Sequence, residues 1–430
     1  MKHRREILAI ALPAIISNLT TPVLGIVDVA LSGHIGDAVY IGAIAVGGTM
    51  FNLLYWLFGF LRMGSSGLTA RACGACDKGM ISLVLYRAVL TGFLTGLFML
   101  AFSQPLGAVV LRFMDAGDAT QALAEYYFSI CIWGAPAVLV SYSLAGWFIG
   151  MQNSRAAMWM AITTNVVNIA VSCTLVFGFG KSIAGVATGT CSAQWAGVAV
   201  GLFIVGRKYR PAFPPLGRLL NLRELAAFFR VNTDIFLRTC CLIAVTLWFT
   251  HAGAKQGTGI LAANALLLQL FMLFSYFMDG FAYAGEALAG KFYGARAHES
   301  LKKVVTELLL TGLVCALVFS SLYFVSGEWF LNLLAEDKSV VGIAVRYLPW
   351  AIVLPLCGFA AFVWDGIFIG LVATRAMLVS MAVAAAIFFS VYLSIEKPLG
   401  NDALWLSFNL YLLCRGAVEW LIYRLRGLSD

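Results

Sequence analysis

Apolar residues run along this chain in twelve long blocks, at roughly 7–32, 40–64, 81–104, 122–148, 156–178, 184–206, 226–250, 258–285, 302–326, 345–370, 376–395 and 403–423. A helix needs about 20 such residues to cross a bilayer. A spanning strand needs only about 9–11, alternating in character. The block lengths therefore predict helices, and the fold class is an all-α polytopic membrane protein with twelve transmembrane spans.

The charges between the blocks set an orientation. With the N-terminus inside, the inner segments carry Lys2, Arg4, Arg5, Arg71, Lys78, Arg155, Arg207, Lys208, Arg210, Arg218, Arg223, Lys291, Arg296, Lys302, Lys303, Arg375, Arg424 and Arg426. The outer segments carry only Arg112, Lys181, Lys255, Lys338 and Lys397. This asymmetry places both termini in the cytoplasm. The longest inner link, GRKYRPAFPPLGRLLNLRE, is basic and Pro-rich. It divides the chain into an N-lobe (1–206, spans one to six), a cytoplasmic linker (207–224) and a C-lobe (225–430, spans seven to twelve).

The lobes look like copies of one another. FIGMQNSRA at 148–156 matches FIGLVATRA at 368–376, an offset of 220; LTG at 90–92 and 310–312, GA at 74–75 and 294–295, and Gly146 and Gly366 share it. Six spans is an even number, so both copies face the same way. Such parallel repeats are common in secondary transporters, with substrate held between two bundles.

Composition narrows the function classes. Of 430 residues, 61% are hydrophobic and 12% charged, where soluble domains carry about 25% charge. A soluble enzyme, a disordered chain and a nucleic-acid binder are excluded; the net charge of +8 is spread through loops rather than gathered on one face. Most of the ten cysteines lie in apolar runs and act as small hydrophobes. GFGKS at 178–182 lacks the P-loop glycine five positions before Gly180, where Leu175 stands. Without ATP chemistry, transport runs on an ion gradient or downhill. No H-E-x-x-H or G-x-S-x-G pattern supports an intramembrane enzyme. Cys73 and Cys76 form a CxxC without further ligands in the vicinity, so no metal site and no cofactor is expected. Gly92 and Gly96 read as a close-packing GxxxG.

Ionisable residues inside spans are costly and are functional candidates by default. Asp28 lies in the first span, within LGIVDVALSG. It reads either as an interfacial acid bonded to a neighbouring helix or as a carboxylate that exchanges H⁺ or Na⁺. Asn165, Asn168 and Ser172 follow i, i+3, i+7 on the fifth span and share one face. They read as interhelical hydrogen bonds or as part of an ion site; Thr190 on the sixth span joins them at similar depth. Pro13 removes a backbone hydrogen bond from the first span and is a candidate hinge. In the other half, Asp234 and Arg238 are spaced to pair on the seventh span, Asp279, Tyr283 and Glu286 follow i, i+4, i+7 on the eighth, and Asp365 is on the tenth. The simplest reading of this set is a neutralising polar network; a second coupling site or a gate is the sharper one.

TPVLGIVDVALSGHIGD, IGAIAVG and FGFLRMGSSGLTARACGA resemble the first two helices of multidrug and toxic compound extrusion (MATE) transporters, with the DinF-like branch as the best match. NTDIFLRTCCL, LAANALLLQ and YFMDGFAYAGEALAGKFYGA are similar to the seventh and eighth helices of that branch. The resemblance implies two pseudo-symmetric six-helix bundles in a V, exporting organic, often cationic, compounds in exchange for H⁺ or Na⁺. It implies Asp28 as the coupling residue, Pro13 as a bending point, and Asn168 and Thr190 as members of the same site. Family members usually carry an aspartate where this chain has Ser172, and losing that carboxylate favours H⁺ over Na⁺. The expected protein is a monomeric inner-membrane antiporter of cationic or amphipathic small molecules, its partners the lipid bilayer and the substrate. The alternative is a flippase for a lipid-linked precursor, which would want cavity-facing cations; Arg62, Arg238, Arg87 and Arg415 are the few available.

Overall fold

The computed structural model describes residues 2–34, 38–112 and 118–425. The long elements are α1 Lys2–His34, α2 Ala38–Leu57, α3 Phe60–Gly74, α4 Lys78–Ala101, α5 Ser103–Arg112, α6 Asp118–Cys131, α7 Ala135–Gly150, α8 Ser154–Cys173, α9 Ile183–Ile204, the single turn α10 Leu216–Leu219, α11 Leu222–Lys255, α12 Thr258–Gly294, α13 His298–Leu334, α14 Lys338–Gly370, α15 Thr374–Leu399 and α16 Asn401–Leu425. Among the described residues ten segments, from Val39–Gly74 to Thr374–Leu399, are long and apolar enough to cross a membrane. With α1 and α16 they make the twelve spans. Helices are the open-ended answer in a bilayer because each satisfies its own backbone where water cannot.

Two spans are broken in ways the apolar pattern hides. The second is α2 followed by α3, interrupted where Phe58 and Gly59 bond back to Tyr55 and Trp56. It runs ten residues past its predicted end at 64, because Ser65, Ser66 and Thr69 are buried in protein rather than exposed to lipid. The fourth is α6 and α7 joined by a tight turn at Ile132–Gly134. Pro136 just beyond has no N–H to continue the regular ladder. The eighth and ninth spans, at 37 residues each, also outrun their apolar cores.

The described chain forms two compact units, 16–232, and 1–15 together with 233–430. In the first, α3 and α4 pack on α7, α8 on α9, and α2 on α6. In the second, α12 and α13 pack on α14, and α15 and α14 on α16. Helix α1 belongs to the second unit up to Ile15 and to the first beyond it; α11 belongs to the first unit up to Asn232.

The internal repeat persists down to the backbone. Cys76 and Arg296, and Gln152 and Val372, take left-handed conformations just past helix ends, at the same 220-residue offset (76 to 296, 152 to 372). At each, the following N–H bonds five residues back: Asp77 to Ala72, Ala297 to Phe292, Asn153 to Phe148 and Ala373 to Phe368, at 2.8–3.0 Å. This is a Schellman stop. Lipid tails are as apolar as Leu, so helices in a bilayer associate by close contact rather than by escape from water. Gly146 and Gly366 supply that contact. A Cβ on Gly146 would collide with the carbonyl of Arg62, and one on Gly366 with that of Ala282, again 220 apart. The GxxxG works as expected: Cβ atoms on Gly92 and Gly96 would drive into Leu139 and Pro136 of α7.

Candidate functional site

In the first unit the polar face of α8 meets α9. Asn168 is buried and donates from Nδ2 to Thr190 Oγ1 at 3.1 Å, while Ser172 Oγ donates to Asn168 Oδ1 at 3.4 Å. Thr190 in turn donates to the Val186 carbonyl at 3.1 Å. The approach depends on Gly189, where any side chain would strike Ser172. Three of the sequence candidates thus form one hydrogen-bonded cluster, and its described hydrogen-bond partners are all neutral. Asn165 points elsewhere: its Nδ2 donates to the Thr20 carbonyl of α1 at 3.3 Å. That bond joins α8 to the helix carrying Asp28, which lies eight residues beyond Thr20, roughly 12 Å along the axis. Asp28 sits on α1, but its side chain lies outside the described residues. Pro13 is buried within α1.

In the second unit the polar network has a different wiring from the one the spacing suggests. Asp234 accepts from Thr374 Oγ1 at 3.0 Å, and Arg238 is turned to α14. There Arg238 Nη2 and Arg415 Nη2 both donate to Asp365 Oδ2. The i, i+4 rule gives reach along one helix, whereas a guanidinium buried between helices goes to the carboxylate its neighbours present. Arg238, Asp365 and Arg415 are 4–6% exposed and Glu419 is fully buried. Glu419 Oε1 accepts from Ser380 Oγ at 3.0 Å and sits beside Asp365 and Arg415. The Arg415 guanidinium also lies 5.7 Å from the Phe362 ring centroid. Two guanidiniums therefore face two carboxyl groups across α11, α14 and α16. Asp279, Tyr283 and Glu286 line α12, with Tyr276 beside Asp279 and Glu286 buried.

From the sequence Arg415 stands out only as a span cation, outside this network, and Glu419 is missed. Arg415 and Glu419 are i, i+4 in the last apolar run, and their ionisable character was the available signal. A buried amide pair is missed as well. Asn264 and Asn401 donate to one another at 2.8 and 2.9 Å, and Trp405 Nε1 donates to Asn264 Oδ1 at 2.9 Å. A further polar group surrounds Tyr55, which is buried with Cys131, Tyr142 and Cys191 as neighbours, while Arg62 is beside Tyr142. Among the described residues no group of three or more His, Cys, Asp or Glu could hold a metal ion, and all ten cysteines are free thiols.

Twelve spans in two repeats, with polar clusters buried inside apolar helices, define a multi-pass membrane protein of transporter-like architecture. The chain belongs to the MatE family, whose profile matches residues 13–174 and 234–393. It is 36% identical over 421 residues to the DNA damage-inducible protein F of Escherichia coli K12, covering 96% of this chain and 91% of that one. It is 22% identical to the multidrug export protein MepA of Staphylococcus aureus (strain NCTC 8325 / PS 47), covering 97% and 92%. Among solved structures, an outward-facing multidrug resistance MATE family transporter of the MOP superfamily superposes with a TM-score of 0.89 at 18% identity, covering 100% of this chain and 97% of that one. As a family member the chain is an efflux transporter with small-molecule substrates.

Proposed function

We propose that this protein exports cationic or amphipathic organic molecules in exchange for H⁺ by alternating access, with Asp28 as the proton-exchanging carboxylate. It acts as a monomer in the inner membrane, with both termini in the cytoplasm and Pro13 as the bending point of α1. The observation that carries the choice of ion is the neutral wiring of Asn168, Ser172 and Thr190. A hard cation such as Na⁺ wants several oxygen ligands, commonly including carboxylates. Here the Asn168 carbonyl already accepts from Ser172, and among the described residues no acid is bonded to the three; Asp28 is the first-span carboxylate this reading assigns to exchange. One carboxylate that takes up and releases a proton is enough for such exchange, and Asp28 fills that role in this reading. The relative named as a multidrug export protein supports the substrate class.

The flippase alternative needs cations free to meet an anionic headgroup. Three of the four in question are engaged: Arg238 and Arg415 on Asp365, and Arg87 on Glu224 and the carbonyls of Arg218 and Leu219.

The test is dye transport in proteoliposomes under ΔpH or ΔNa⁺ imposed separately, with wild type and Asp28→Asn. Transport driven by ΔpH alone, and lost in the variant at unchanged expression and folding, is expected. Na⁺-driven transport that persists without ΔpH, or unchanged ΔpH-driven transport by the variant, overturns the proposal.

A further inference from the structure

The link between the repeats is fastened down, and what it leaves uncovered has a distinct chemistry. The buried Arg87 of α4 donates from Nε to the Leu219 carbonyl at 3.2 Å and from Nη2 to the Arg218 carbonyl at 2.5 Å and Glu224 at 3.0 Å. It caps the single turn α10 and grips the start of α11 together. Tyr86 adds a hydroxyl bond to the Pro211 carbonyl at 3.4 Å and an edge contact with Phe213 at 5.0 Å. Asn153 donates to the Tyr209 hydroxyl at 2.8 Å, and Trp147 packs on the same ring. The linker therefore has one defined position on the first unit.

Held there, it turns outward an unusual mixture. Phe213, Leu216, Leu220 and Leu222 are 59–81% exposed. Interleaved with them are the exposed Arg207, Lys208, Arg210 and Arg223, none of which has a carboxylate partner among the described residues. The one acid of the segment, Glu224, is taken by Arg87 and, more distantly, Arg218. Directly alongside, α4, α7 and α9 leave a groove of about 320 Å³, lined by Leu85, Val89, Leu144, Leu202 and Val205, with Arg210 also on its wall. Leu202 and Phe203, on the same stretch of α9, are exposed on a span, so the groove opens on the lipid-facing flank. Arg210 takes a left-handed conformation (φ 44°, ψ 55°), and its N–H bonds to the Val205 carbonyl at 3.0 Å, which fixes where the side chain starts.

A mainly apolar trough of ligand size with an unpaired cation on its wall, beside a basic and greasy strap, is complementary to one thing a membrane supplies. We propose that this groove holds an acyl chain of an anionic phospholipid whose phosphate rests on Arg210. The exposed Phe and Leu side chains of the linker sit in the headgroup region, and the surrounding cations favour an anionic over a zwitterionic lipid.

The experiment is native mass spectrometry of the full-length, detergent-purified protein titrated with phosphatidylglycerol or phosphatidylcholine. Phosphatidylglycerol should bind more tightly to the wild type, a comparison that requires no variant. Arg210→Asn keeps a residue that tolerates the left-handed backbone and should weaken phosphatidylglycerol binding about fivefold, at about 1 kcal/mol per cation near the surface. It should leave phosphatidylcholine binding unchanged, and Arg210→Lys should restore the preference. Val89→Trp, which fills the trough, should weaken both lipids. Equal binding of the two lipids by the wild type, or an Arg210→Asn variant with undiminished preference, overturns the proposal. So does displacement of the bound lipid by inorganic phosphate alone, which would make Arg210 a free-anion site.

Discussion

Asp365 is the residue at which a structural hold and an ion-coupling site make opposite predictions. Its Oδ2 receives both Arg238 and Arg415, and all three side chains are almost wholly buried. Asp365→Asn keeps the shape but removes the charge, leaving two guanidiniums with Glu419 as the acid beside them among the described residues. Breaking a buried ion pair by removing one partner costs about 3–5 kcal/mol, because the surviving charge remains out of water. For a unit of roughly 200 residues a loss of 1 kcal/mol lowers the melting midpoint by about 2–4 °C. The variant should therefore melt roughly 6–20 °C below the wild type when purified in the same detergent. The companion Asp365→Asn/Arg238→Met removes the surplus cation, leaves Arg415 opposite Glu419, and should recover at least half of the loss. The recovery is the informative arm, since two independent lesions would add rather than cancel. An Asp365→Asn protein with an unchanged midpoint and abolished gradient-driven transport would refute the hold and make Asp365 a participant in ion exchange.

The remaining expectations concern the repeat and the first-half cluster. Gly146→Val and Gly366→Val should each destabilise by about 1–3 kcal/mol, the usual cost of overpacking, and by similar amounts, because each drives a side chain into a carbonyl at equivalent places. Thermal midpoints check this; a harmless change at either position would mean the close approach is not rigid. Ser172→Asp places a carboxylate beside Asn168 and, under the proposed H⁺ exchange, should add Na⁺-stimulated transport to the ΔpH-driven transport of the wild type. Unaltered ion dependence in a folded variant would detach this cluster from ion choice.

Much of the site was legible because burying polarity in a bilayer is expensive enough to stand out. Asn168, Ser172 and Thr190 announce themselves as polar residues at matching depth, and they do meet. Periodicity could not show that Asn165, on the same helix, turns to Thr20 of α1 instead. The second half shows the limit more sharply. Spacing within one helix suggested Asp234 for Arg238, while Arg238 pairs with Asp365, 127 residues away. Arg415 and Glu419 carried the same signal as Asp365, yet their role depends on which neighbours they face. The fourth span reads as one apolar run and is two helices about a turn, since apolarity measures length across the membrane and is blind to a local loss of helical bonding.

The sequence by itself determined the twelve spans, the twofold repeat and the family. These follow from one-dimensional quantities: the length of each apolar run, the alternation of charge between runs, and identity at a fixed offset. The repeat carries through to the Schellman stops at 76, 152, 296 and 372 and to the paired glycines, because equal sequence in equal context folds alike. Tertiary structure alone decided which buried charges neutralise one another, how Arg87 fastens the linker, and where a groove opens beside Arg210. Those depend on the rotation of each helix about its axis and on partners dozens to more than a hundred residues apart. An apolar pattern that is hydrophobic all round leaves that rotation undetermined until the helices pack.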